Sequence, residues 1–162
     1  MKTLKTIIPA LVIAGITFLY ACGGSGDKPA TDADGSSATA TAAEIDPAAK
    51  SDSKGIGRFT SVQVGAIDAA MAEKGQAVFA AKCVACHKTT DQKIVGPGLK
   101  GVTERRTPEW IMNQITNPLE MEQKDPVGKA LLEKHLTQMT FQNVTDDESR
   151  QILEFLRKND AK

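Results

Sequence analysis

Cys83-Val84-Ala85-Cys86-His87 decides how the rest of the chain is read. Two thiols separated by two residues, with an imidazole directly after the second, have the spacing of covalent haem attachment. Cys83 and Cys86 stand about one helical turn apart, so both sulfurs can face one porphyrin edge and add to its two vinyl groups. His87 then projects beneath the ring and offers a nitrogen to the iron. The same residues admit two other readings. One is a redox Cys-X-X-Cys with an incidental histidine; the other is a zinc site completed by His135.

Working outward, Asp68 predicts the cap of a helix running through Ala69 to Lys82 into the motif, with Met71, Val78 and Phe79 at helical spacing. Gly96-Pro97-Gly98-Leu99 and Gly101 compose a loop. Thr107-Pro108-Glu109 opens a second helix with Trp110, Ile111 and Ile115 as its apolar stripe, and Asn117-Pro118 ends it. Asp125-Pro126 starts a third, and Thr145-Asp146-Asp147-Glu148 is a capping box for a last helix whose buried stripe is Ile152, Leu153, Phe155 and Leu156. No segment is rich in strand formers. The expected fold is all-α, about four helices with an irregular stretch between His135 and Thr145.

The amino-terminal third reads differently. Lys2 and Lys5 precede an apolar run, Ile7 to Tyr20, that ends in Ala21-Cys22. This has the form of an export signal, too short for a comfortable membrane span, and its terminal cysteine resembles a bacterial lipobox in which Cys22 is acylated. From Gly23 to Ala43, 16 of 21 residues are Gly, Ser, Ala or Thr, a composition unable to offset its own ordering entropy. The organisation expected is therefore a signal peptide over 1–21, a lipid-anchored disordered linker over 22–60 and a folded domain over 61–162. Ile56 to Ile67 regains apolar residues in partial alternation, as an extended segment lying on that domain would.

Composition narrows the function classes. The 20 basic and 20 acidic residues cancel, and loss of a leader through Ala21 leaves 18 basic against 20 acidic, so nothing points to nucleic acid. After Cys22 the chain keeps four Phe, one Trp and no Tyr, few large side chains with which to fill a small core. A buried haem would supply the missing apolar volume. With Cys22 acylated, only the Cys83/Cys86 pair remains, which argues against a disulfide scaffold.

The order of a helix with Gly75 and Phe79, Cys-X-X-Cys-His, Gly-Pro-X-Leu, a loop methionine and a final helix with Ile152 and Phe155 resembles the class I c-type cytochromes over residues 68–159. The resemblance implies one covalent haem c, and first and last helices that cross at Gly75. It implies that the Pro97 carbonyl orients His87 and that Leu99 packs on the ring. It further implies a distal methionine in the loop before the last helix, which selects Met139 over Met121, here followed by Thr140 where the family often has proline. Arg105, Arg106 and Trp110 are candidate donors to the haem propionates.

The run Gly101 to Asn113, with Asn117-Pro118 and Asp125-Pro126, resembles more narrowly the small exported cytochromes that accompany nitrous-oxide reductase. The implied activity is single-electron shuttling between redox partner proteins at the periplasmic side of a bacterial membrane, to a terminal reductase or oxidase, with no enzymatic chemistry. A haem enzyme with a displaceable distal ligand and a thiol–disulfide oxidoreductase acting through Cys83 and Cys86 are the alternatives. The second of these lacks any βαβ pattern to carry it.

Overall fold

In the computed structural model, which describes residues 45–162, the Asp68 carboxylate accepts the Met71 N–H at 2.9 Å and opens α1 (Ala69–Lys82). The described residues lie within one unit, Ala40–Lys162, and contain six helices and no strand. After α1 come α2 (Val102–Arg105), α3 (Pro108–Thr116), α4 (Pro118–Lys124), α5 (Pro126–His135) and α6 (Asp146–Asp160). The expected signal peptide and the acylation site Cys22 lie outside the described residues. No described helix is long and apolar enough to cross a membrane.

Two of these helices go beyond the sequence reading. Asn117-Pro118 was expected only to end α3, yet Pro118 also sits at the first position of α4, where its missing N–H has no bond to lose. The short α2 follows Gly101, whose φ of 68° turns the chain into it. The other caps follow the sequence. Thr107 accepts from Trp110 N–H, Asp125 from Gly128 N–H, and Thr145 and Glu148 complete both halves of a capping box.

The first and last helices form the frame. Gly75 on α1 lies against the backbone of Gln151 and Ile152 on α6, where a Cβ would collide with the Gln151 carbonyl. That approach brings the Phe79 and Phe155 rings to a centroid separation of 5.3 Å, tilted by 50°. Lys82 at the end of α1 reaches Glu148 at 2.9 Å on the first turn of α6. At the other end of the crossing Glu154, wholly buried, accepts the Asp68 N–H at 2.9 Å and pairs with Arg150 and Arg157. The apolar core of Phe79, Trp110, Ile111, Met112, Met121, Val127, Val144, Ile152, Leu153 and Leu156 fills the space between this frame and α3–α5.

Residues 45–60 correct the expected linker. They are packed on the domain because helix side chains satisfy their backbone. The Ile56 N–H donates to Met121 Sδ at 2.9 Å, the Phe59 N–H to Asn113 Oδ1 at 3.0 Å, and the Val62 N–H to Glu109 Oε1 at 3.0 Å. Asn113 Nδ2 in turn donates to the carbonyls of Lys54 and Phe59. Gly55, at φ 72°, passes where a side chain would strike Met121. The domain thus begins before residue 61 and ahead of the apolar segment from Ile56 to Ile67.

Candidate functional site

His87 is built from both sides by backbone. The turn that leaves α1 continues through the motif, with Cys86 and His87 N–H groups both donating to the Cys83 carbonyl at 3.0 and 2.9 Å. The loop beyond folds back on that turn. Gly96 N–H donates to the Cys86 carbonyl at 2.9 Å and Leu99 N–H to the Lys88 carbonyl at 2.8 Å. This return places the Pro97 carbonyl 2.9 Å from His87 Nδ1. A carbonyl only accepts, so Nδ1 carries the proton and Nε2 keeps its lone pair for a metal. Gly96 leaves the ring its space, since a Cβ there would collide with the imidazole.

A cavity of about 720 Å³ adjoins this ring, within the size range of cofactor pockets. Cys83, Cys86, His87, Leu99 and Met139 all line it, so the attachment pair, the two expected axial residues and the expected packing residue come together. Apolar side chains from four helices (Phe79, Ile111, Leu131, Leu132, Ile152, Leu156) complete its walls. An apolar chamber with two thiols at its edge and an imidazole and a thioether within it fits a covalently held porphyrin. A second cavity of about 450 Å³ beside α2, α3 and α6 contains neither cysteine nor histidine.

The two methionines weighed as distal ligand separate. Met121, expected in a loop, is helical. It lies on α4, fully buried, with its sulfur committed to the Ile56 N–H, and it does not line the larger cavity. Met139 is in the irregular segment before α6, half-buried at the cavity wall. Met112 is core filler on α3. His135 ends α5 and lines the same cavity, its Nδ1 buried without a hydrogen-bond partner. Burial, together with Lys93, Lys134 and His87, holds its pKa below the ordinary imidazole value.

The expected propionate donors fare unequally. Arg105, Arg106 and Trp110 all line the cavity. The Trp110 indole N–H, however, donates to Asp125 Oδ1 at 2.9 Å. Arg106 is buried over the Trp110 ring at 5.3 Å and donates to the carbonyls of Pro47, Ala49 and Arg105. Both are therefore committed to the fold, Arg106 as the clamp on residues 47–49. Arg105 gives one nitrogen to the Lys100 carbonyl at 2.7 Å and, among the described residues, no other.

Two cavity residues escaped the sequence reading. Gln114 Nε2 lies 3.6 Å from Met139 Sδ, and Glu122 Oε1 accepts the Met139 N–H at 2.7 Å. Gln114 interrupts the apolar stripe of Trp110, Ile111 and Ile115, a signal that was available. Glu122 sits among Glu120, Gln123 and Lys124 and reads as solvated.

A family profile described as Cytochrome c matches residues 72–160. A curated relative, "Cytochrome c-553-like" from Synechocystis, is 33% identical over 69 residues, 40% of this chain and 66% of the relative. The match thus spans just under two thirds of that relative. Among solved structures, a cytochrome c from Rhodothermus marinus is 40% identical with a TM-score of 0.63, over 65% of this chain and 90% of that one. An engineered form of the Rhodothermus protein bound to a carbene intermediate is 38% identical with a TM-score of 0.61, over 65% and 92%.

Proposed function

Because the chain belongs to the cytochrome c family, we propose that it is an exported, membrane-tethered monohaem electron carrier and not an enzyme. Haem c supplies a one-electron iron couple, and the protein fixes it, orients its ligands and limits its exposure. The observation that carries this reading is the meeting of Cys83, Cys86, His87 and Met139 around one largely apolar cavity. Cys83 and Cys86 would hold the ring, His87 would be the proximal ligand and Met139 the distal one. The Pro97 carbonyl, which accepts from Nδ1, would orient the His87 ring for that role. Leu99 would pack against the ring and Arg105 would face a propionate.

The thiol–disulfide alternative has the wrong electrostatics. Burial pushes the Cys83 thiol up to about 11, against the neighbouring Lys82 charge, whereas a reactive thiol needs a lowered value. A zinc centre is not supported either, since among the described residues no cluster of three or more metal-binding side chains forms.

Electron exchange requires a partner at the cavity mouth. Lys93, Lys100 and Lys134 stand there, with the exposed apolar Val95 between the first two in the loop after the motif. Lys82 also lines the cavity, but it is paired with Glu148. Such a rim suits an acidic redox partner and acts mainly on encounter rate. The proposed acceptor is a terminal reductase or oxidase, of which a copper-containing nitrous-oxide reductase is the specific candidate, with Cys22 acylated on the periplasmic side of a bacterial membrane.

The test uses protein matured by a cytochrome c assembly system. One haem resisting acid–acetone extraction, with a pyridine haemochrome spectrum, is expected; two titratable thiols and no covalent haem would refute the reading. Stopped-flow mixing with the reductase should then show oxidation that slows as salt rises. Slow, salt-independent oxidation by it, beside fast oxidation by a terminal oxidase, would remove that acceptor alone.

A further inference from the structure

Met139 is held at two points by side chains that reach it from two different helices. From α4, Glu122 accepts its backbone N–H at 2.7 Å; from α3, Gln114 points its amide nitrogen at the sulfur from 3.6 Å. Glu122 is the unusual member. It is 6% exposed, its Oε2 is buried without a hydrogen-bond partner, and it lines the cavity. Among the described residues no lysine or arginine forms an ion pair with it, although Lys93, Lys100, Lys134 and Arg105 line the same space. A buried carboxylate left without a cation is costly and needs a reason to persist.

We propose that Glu122 is a positioning residue for the distal ligand, one oxygen pinning the Met139 backbone to α4. The proposal rests on the reading of Met139 as the distal ligand. It follows from place in the chain. Met139 lies in a segment with no helix of its own, between the left-handed Leu136 that ends α5 and the Thr145 cap of α6. Its neighbours Gln138 and Thr140 are exposed. Without the Glu122 bond, the loop backbone at the ligand would lose its link to α4.

Three variants of the matured full chain test this. Glu122→Gln keeps an oxygen for the Met139 N–H. It should retain the sulfur-to-iron charge-transfer band and the wild-type rate of imidazole binding to the ferric protein. Glu122→Ala removes that oxygen. It should weaken the band and speed imidazole binding at least tenfold. Glu133→Gln, on the exposed side of α5, should change neither readout. An alanine variant with a full band and wild-type imidazole rate overturns the positioning role. If the alanine variant does not mature, Glu122→Asp, one methylene too short for the bond, takes its place with the same two outcomes. Failure of the underlying ligand reading looks different: Met139→Ala would then keep the charge-transfer band.

Discussion

Gly75 of α1 rests directly on the Gln151 carbonyl of α6, with no room for a Cβ between the two helices. The obstacle is backbone, which cannot rotate away as a side chain tip could. Gly75→Ala should therefore destabilise the holoprotein by about 1–3 kcal/mol, as overpacking does, in spite of alanine's better helix propensity. Guanidinium denaturation of the variant and wild type, both with covalent haem, measures this. A variant as stable as wild type would mean that the crossing is looser than described.

Met139→Ala and Met121→Ala should fail in opposite ways. The first should abolish the sulfur-to-iron charge-transfer band, lower the potential and admit carbon monoxide or cyanide, with a modest stability cost. The second should leave the spectrum almost unchanged and cost about 2–5 kcal/mol, because Met121 is a fully buried core residue that also receives the Ile56 N–H. Optical spectra and denaturation curves of the pair give the comparison.

The Glu154 network predicts an acid-side loss of stability. Burial alone would raise the pKa of this carboxyl. The hydrogen bonds from Arg150, the Asp68 backbone and Arg157, with the Arg150 charge, outweigh it and hold the pKa below the ordinary value. A group depressed on folding stabilises fully above its unfolded pKa and loses that contribution as pH falls through the folded value. Glu154→Gln should destabilise the protein by about 1–3 kcal/mol at neutral pH and flatten the decline below the ordinary carboxylate range. Thermal unfolding from pH 7 downward provides the test.

Cys22→Ser should abolish lipid labelling in cells and leave the chain either unprocessed or released in soluble form. Metabolic labelling with a fatty acid analogue and fractionation read both. A wild-type mature chain that begins downstream of Cys22 without a lipid would remove the anchor from the proposal.

The sequence carried the site better than the scaffold that supports it. Cys83, Cys86, His87 and Pro97 are adjacent or nearly so, and short-range spacing is what sequence displays. The caps at Asp68, Thr107, Asp125 and Thr145 were legible for the same reason, since each satisfies donors within one turn. What was hidden depends on partners far along the chain. Residues 45–60 adjoin a stretch of linker composition, and partners fifty or more positions away, among them Asn113, Arg106, Met121 and Asp125, turn them into structure. Trp110 looked available to a propionate until Asp125 claimed its N–H. Glu122 looked solvated because helix periodicity over a seven-residue segment, α4, is too short to assign a face.

The crossing of α1 and α6 also sets an order of events. The two helices are separated by more than sixty residues, so their contact closes a long loop and cannot form early. α4 and α5, joined through Asp125 alone, meet without such a delay. Until Asp146–Asp160 docks, α1 has no partner for its Gly75–Phe79 face. The helix that delivers the chain into the Cys83–His87 turn is thus among the last parts of the domain to be made rigid.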